Sequence, residues 1–129
     1  MGIKKTILIV DDDDLVLESI DLLLSAVDDF QTICARGSEG ARSHMAHARH
    51  VDVIVADVVL RGALSGIDIC RQVMAQCADV AVVIITADTE VRRTDVPERG
   101  VFLRKPFGGE QLIAAVNAAL MRVNVTPAN

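Results

Sequence analysis

Four aspartates in succession, Asp11–Asp14, follow directly on the apolar run Ile7-Leu8-Ile9-Val10. Carboxylates set side by side repel one another, so clustering them at the end of a buried strand calls for a compensating positive charge. Three other apolar runs end in groups that fit one chemistry. Val53-Ile54-Val55-Ala56 runs into Asp57, Val82-Val83-Ile84-Ile85 into Thr86, and Val101-Phe102-Leu103 leads to Lys105-Pro106. If these ends meet, carboxylate oxygens from two runs form a site for a hard divalent cation. A carboxylate there can act as a nucleophile and become an aspartyl phosphate. Mg2+, with Mn2+ as a substitute, removes the repulsion between such acids and an anionic phosphoryl donor. The Lys105 ammonium neutralises one phosphoryl oxygen, and the Thr86 hydroxyl donates to another.

Whether the ends meet depends on the elements between them. Strands are predicted over Thr6–Val10, Gln31–Ala35, Val53–Ala56, Val82–Thr86 and Val101–Leu103. The third and fourth are apolar on successive positions, as in central parallel strands covered on both faces. Helices are predicted between them. Leu15–Val27 carries Leu15, Val16, Ile20, Leu23, Leu24 and Val27 at helical spacing, with Asp14 as its N-cap. Ser38–Arg49 is Ala-rich, Ile67–Gln76 repeats apolar residues at Ile67, Cys70, Val73 and Met74, and Glu110–Val123 does so at Leu112, Ile113, Val116, Leu120 and Met121. Asp88–Arg99, with only Val91 and Val96 as aliphatic residues and broken by Pro97, predicts a short or irregular fourth helix. This alternation predicts an α/β, flavodoxin-like doubly wound (βα)5 sandwich with a parallel sheet in the order 2-1-3-4-5. In such sheets ligands sit beyond the carboxyl ends of the strands, at the switch point between the first and third. Asp11 and Asp57 occupy those two ends.

The quoted runs, Ile-Leu-Ile-Val-Asp-Asp-Asp, Val-Ile-Val-Ala-Asp, Val-Ile-Ile-Thr-Ala and Lys-Pro-Phe, together resemble the receiver domain of two-component response regulators. The resemblance spans nearly the whole chain, in the family's order and approximate spacing. It implies that Asp57 is the phosphoacceptor of a phosphorelay. Asp11 and Asp12 correspond to the acidic pair that holds Mg2+, and the Val59 backbone carbonyl completes the metal sphere. Thr86, Lys105 and the Ala87 N–H correspond to phosphoryl contacts, Phe102 to an aromatic switch acting with Thr86, and the Lys105–Pro106 peptide to a cis bond. The implied donor is a phosphohistidine on a sensor histidine kinase or histidine phosphotransfer protein, inserting beside Asp57 near the first helix. The domain would be no enzyme beyond catalysing its own phosphorylation and dephosphorylation, and it would switch a partner-binding surface that these residues do not tie to any named protein.

Three departures stand out. Arg61 occupies a position where the family often has proline, in a loop, Leu60–Gly66, slightly longer than usual. The short, charged fourth-helix segment alters the usual output surface and resembles receivers that act alone or attach to hybrid kinases. Phe102 lacks the hydroxyl of the frequent tyrosine. Val59 and Asp88 fall where the family tunes phosphoryl hydrolysis, and an aliphatic Val59 predicts a longer-lived phosphoryl state. Two other readings compete. Asp11-x-Asp13 also fits the nucleophile motif of haloacid-dehalogenase-like phosphatases, although nothing acidic but Glu110 follows Lys105. A pseudo-receiver scaffold that is never phosphorylated would need a missing site residue.

The bulk composition narrows the classes. At 129 residues with 51% hydrophobic content, the chain reads as one domain, 1–129, with an ordered core of about 5–123 and a loose tail over 124–129. A net charge of −5 argues against nucleic acid and against an anionic membrane surface. No apolar run approaches the roughly 20 residues a membrane span requires. Met1 leads into the first strand without a signal segment, so a cytoplasmic location is expected, as a monomer or weak homodimer. Cys34, Cys70 and Cys77 form no Cys-x-x-Cys pair and read as small core hydrophobes in a reducing compartment. Asp13 and Asp14 read as capping acids, His44, His47 and His50 as a solvated helix face, Arg92, Arg93 and Arg99 as a solvent-facing basic patch, and Phe30 and Phe107 as core.

Overall fold

The computed structural model describes residues 4–46, 50–58, 65–77, 79–87 and 99–124. Five strands and four helices occur among them: β1 (Lys5–Asp11), α1 (Asp14–Ser25), β2 (Phe30–Arg36), α2 (Gly37–Ala46), β3 (Val53–Asp57), α3 (Gly66–Gln76), β4 (Ala81–Thr86), β5 (Val101–Arg104) and α4 (Gly109–Asn124). The strands form one parallel sheet in the order β2-β1-β3-β4-β5. This is the expected doubly wound topology. The expected irregular helix over Asp88–Arg99, the loop residues 59–64 and the tail beyond Asn124 lie outside the described residues, apart from Arg99.

Strand alternation divides the core into two layers. Ile7, Ile9, Val53, Val55, Val83 and Ile85 pack with Leu17, Ile20 and Leu24 of α1 and Leu112, Val116 and Ala119 of α4. Leu8, Val10, Ile54, Ala56, Val82 and Ile84 pack with Ala41 of α2 and Ile69, Cys70 and Val73 of α3. Every residue of β4 is buried, as a strand flanked by neighbours and covered on both faces must be. β2 passes into α2 without a linker because Gly37 adopts φ 73°, a conformation that costs glycine little.

The helices correct several expectations. Asp13, not Asp14, caps α1: its backbone is extended and its side chain accepts the Leu15 N–H at 2.8 Å. Asp14 is the first helical residue, where its charge still favours the helix dipole. Leu15 is 73% exposed and Met121 63%, so neither belongs to the core, and Leu23 lies at its margin. Leu17, absent from the expected stripe, is buried instead. Cys70 is buried as expected, whereas Cys34 is exposed, because β2 is an edge strand with no neighbour beyond it. His50 lies outside α2, and its Nε2 sits 2.8 Å from Asp52 Oδ1. His47 lies outside the described residues.

Candidate functional site

Register brings the two acids together. Ile9 pairs with Val55 and Val10 with Ala56, so the next position of each strand carries Asp11 and Asp57. Both continue the alternation of the layer beneath α1 and α4. On the other side of β3, Val58 N–H donates to Ile85 O at 3.0 Å, extending the β3–β4 ladder one residue past Asp57. Thr86 ends β4, fully buried, and its carbonyl accepts the Lys105 N–H at 2.8 Å. That bond holds the start of the β5–α4 turn against β4. The Lys105–Pro106 peptide is cis.

Lys105 reaches back over the sheet end. Its Nζ donates to Asp57 Oδ2 at 2.9 Å and lies 3.9 Å from Asp11 Oδ2. Asp11 is 4% exposed, and its Oδ1 accepts the Asp13 N–H at 2.9 Å. Burial pushes the Asp11 carboxyl up to about 6. The Asp13 N–H and the Lys105 ammonium oppose that rise, while the adjacent Asp57 carboxylate reinforces it. Two carboxylates about 4 Å apart repel by about 4 kcal/mol at an effective dielectric near 20, which disfavours ionising both. Two acids thus share the Lys105 ammonium.

The structure unites Asp11, Asp57 and Lys105 directly and sets Thr86 beside them at the end of the adjoining strand. Asp12 is half-buried in the bend after β1. Asp13 points its carboxylate into the helix cap, and Asp14 is exposed in an ion pair with Arg36. Ala87 is exposed just after β4. Val59 and Asp88 lie outside the described residues. Phe102 is partly buried against the α2/α3 layer, with the Arg104 guanidinium carbon 5.0 Å from its ring centroid.

Among the described residues no three His, Cys, Asp or Glu side chains converge tightly enough to hold an ion alone. A three-carboxylate cage is not what Mg2+ requires. It keeps several waters and typically takes one or two carboxylates plus substrate phosphate oxygens. The all-oxygen pair of Asp11 and Asp57, both set against a single ammonium, fits such an ion.

Two features escaped the sequence reading. Arg36 ends β2 directly opposite Asp11 and pairs with Asp14, so a cation stands at the rim of the acidic end. Knowing that β2 lies beside β1, in register from Lys5 with Phe30, would have found it. Gly66 opens α3 against the Asp57 backbone. A glycine at a helix start carries no such signal in sequence.

Comparison with known proteins returns one family. The response regulator receiver domain matches residues 7–117. The heme response regulator HssR of Staphylococcus saprophyticus is 29% identical over 123 residues, covering 93% of this chain and 53% of that protein. The DNA-binding response regulator MtrA of Mycobacterium leprae is 32% identical over 130 residues, covering 97% of this chain and 55% of that protein. The chain spans about half the length of these curated relatives. Among solved structures, a response regulator receiver protein from Sinorhizobium medicae superposes with a TM-score of 0.83 at 21% identity, over 95% of this chain and 96% of that one. A receiver domain protein from Clostridium thermocellum gives a TM-score of 0.78 at 28% identity, over 95% and 99% of the two chains.

Proposed function

Because this chain belongs to the response regulator receiver domains, we propose that it accepts a phosphoryl group on Asp57 and thereby switches a partner-binding surface. The observation that carries this reading is the bridge from Lys105 Nζ to Asp57 Oδ2 at 2.9 Å beside the protonatable Asp11. An Asp57 carboxylate oxygen attacks phosphorus, the P–O bond forms, and the P–N bond of a phosphohistidine breaks with its electron pair passing to the imidazole nitrogen. Lys105 exchanges its contact with Asp57 for a phosphoryl oxygen. The Thr86 hydroxyl and the Ala87 N–H donate to the others. Mg2+ or Mn2+, held by Asp11, Asp12, Asp57 and the Val59 carbonyl, would neutralise the phosphoryl oxygens when bound.

Response regulators receive their phosphoryl groups from sensor histidine kinases, and we assign a kinase or phosphotransfer protein as the donor here. Leu15 and Leu22 stand exposed on α1, Leu15 directly after the acidic run, and give such a partner an apolar contact beside the site. The same reading takes residues 1–129 as one receiver domain in the cytoplasm. It takes this acidic segment as making no nucleic-acid contact itself, whatever the remaining length of a longer regulator would do. No helix among the described residues is long and apolar enough to cross a membrane. The phosphatase alternative is disfavoured because the Asp13 carboxylate is committed to the α1 cap.

The test is incubation with Mg2+ and acetyl phosphate, read by intact mass. The expected outcome is a gain of about 80 Da that requires metal and is absent from Asp57→Asn. A gain that survives in Asp57→Asn would place the chemistry on another residue.

A further inference from the structure

The peptide joining Asp57 to Val58 is bonded on one side and closely approached on the other. On one, the Val58 N–H donates to Ile85 O of β4 at 3.0 Å. On the other stands Gly66, the first residue of α3, whose N–H donates to Val58 O at 3.0 Å. A Cβ on Gly66 would lie 1.9 Å from the Asp57 carbonyl oxygen and 2.7 Å from its carbonyl carbon. Both are backbone atoms, so no rotamer change relieves the overlap. The approach is also fixed from the helix side. Ser65 Oγ accepts the Asp68 N–H at 3.1 Å, and Asp68 Oδ2 accepts from the Ser65 N–H at 3.3 Å, a reciprocal cap that fixes the first turn of α3.

We propose that Gly66 is a positioning residue for phosphoryl acceptance: its missing side chain lets α3 seat against the Asp57 backbone and sets the Asp57 carboxylate at its distance from Lys105. This rests on Asp57 as the acceptor. β4 prevents the Asp57–Val58 peptide from yielding freely in its own plane, so a Cβ at Gly66 must either lift α3 or turn that peptide. Either movement alters the aim of the carboxylate, because the Asp57 side chain springs from the residue whose carbonyl Gly66 abuts. The Gly66 N–H bond to Val58 O also ties together the two ends of the 59–64 loop.

Gly40 provides the control. It too lies in a helix beside the sheet, in α2, but an added Cβ there meets nothing nearer than Ala35 Cβ at 3.4 Å. Val73→Ala provides a second, since it loosens the packing of α3 on the sheet far from Asp57. The four proteins are labelled with acetyl phosphate at saturating Mg2+ and donor, with rates expressed per folded molecule from circular dichroism. Gly66→Ala is expected to lose about a hundredfold in maximal rate, as an ångström of misplacement at a reacting group can cost. Gly40→Ala and Val73→Ala should label as wild type. If Gly66→Ala labels at the wild-type rate, or if Val73→Ala loses as much, the proposal is overturned. Should Gly66→Ala not fold, the double variant Ser65→Ala, Asp68→Ala keeps the glycine but frees the first turn. It is expected to label several-fold slower, and a wild-type rate there overturns the proposal equally. Failure of the underlying reading looks different: wild-type protein itself would then show no labelling that Asp57→Asn removes.

Discussion

β3 carries an aspartate at each end, and the two have been given opposite employment. Asp52, just before the strand, is enclosed by bonds. Its Oδ2 accepts the Thr6 N–H at 2.8 Å, its N–H donates to Thr6 O at 2.9 Å, its carbonyl accepts the Ala81 N–H at 2.8 Å, and Oδ1 meets His50. Gln31 Nε2 completes the network by donating to Thr6 Oγ1 at 2.7 Å. The starts of β1, β2, β3 and β4 are thereby joined. At the other end Asp57 faces a second buried acid, and the pair shares Lys105. No buried side-chain nitrogen or oxygen among the described residues lacks a hydrogen-bond partner, so the two ends differ in charge balance rather than in bonding. One end spends its carboxylate on holding strands together; the other keeps a shortage of positive charge that a cation can relieve.

The sharpest way to break this division is to remove the shared cation. Lys105→Met is expected to lower the rate of labelling by acetyl phosphate about 10²–10³-fold, the scale of losing one preorganised charge at a transition state. Asp52→Asn should label at the wild-type rate per folded molecule. If Asp52→Asn proved as damaging as Lys105→Met, the two ends would not be functionally separate.

Stability should show the reverse. Asp52→Ala removes the acceptor of a buried backbone N–H and is expected to cost about 1–3 kcal/mol in urea unfolding. Asp57→Asn removes one of two repelling charges and should leave stability unchanged within about 0.5 kcal/mol or raise it. A large loss in Asp57→Asn would mean that the Lys105 bridge holds the fold together.

A smaller effect follows from Asp11. Its carboxyl titrates near 6 in the fold, against about 3.9 for an unperturbed aspartate. Between those values the folded state keeps a proton that the unfolded chain has released. Metal-free protein should therefore lose stability as pH rises from about 4 to about 6 and then level off, as far as this group is concerned. Mg2+ should restore it above that window, by about 1.4 kcal/mol at tenfold excess over its dissociation constant, and do little at pH 4. Thermal melts across this range with and without Mg2+ measure both. Asp52→Ala should shift every melt downward without changing the difference that Mg2+ makes.

Much of this was legible in the sequence because the signals were periodic and local. Successive apolar residues in Val53–Ala56 and Val82–Ile85 identified central strands, and crossover handedness with the chain's length narrowed the sheet order to the one observed. Asp11 and Asp57 could be brought together from sequence because each ends such a strand on either side of the switch point. What the sequence hid was direction and distance. Leu15 fits a helical stripe yet turns outward and Leu23 reaches only the core margin, since the stripe is wider than the face that α1 buries. Cys34 reads as core until β2 is known to be an edge. The choice of Asp13 over Asp14 as cap depends on one residue's backbone angles, which four identical side chains cannot reveal. Gly66 shows the same limit most plainly, because its role lies in a contact with a backbone atom nine positions earlier.

The smallest expected effect concerns the residue pair at the working end that carries no negative charge. Phe102 pairs in register with Ile84, and Arg104 with Thr86, so aromatic ring, guanidinium and the buried threonine occupy one face of adjoining strands. The Arg104 guanidinium lies over the Phe102 ring, a contact worth about 0.5–1 kcal/mol at an exposed site, or a factor of two to five in an equilibrium. If Thr86 moves toward a phosphoryl group and Phe102 follows it inward, away from Arg104, the contact opposes that move and favours the ring position seen here. Arg104→Ala should then raise the inward population by about two- to fivefold, read from the fluorine resonance of fluorophenylalanine-labelled protein assigned by Phe102→Leu. Arg104→Lys, which keeps a cation but loses the planar stack, should fall between the two. Unchanged populations in Arg104→Ala would show that the contact sets no bias. Because Asp52 and this pair stand at opposite ends of the sheet, Asp52→Asn should leave the resonance where it is, and a shift there would mean the two ends communicate.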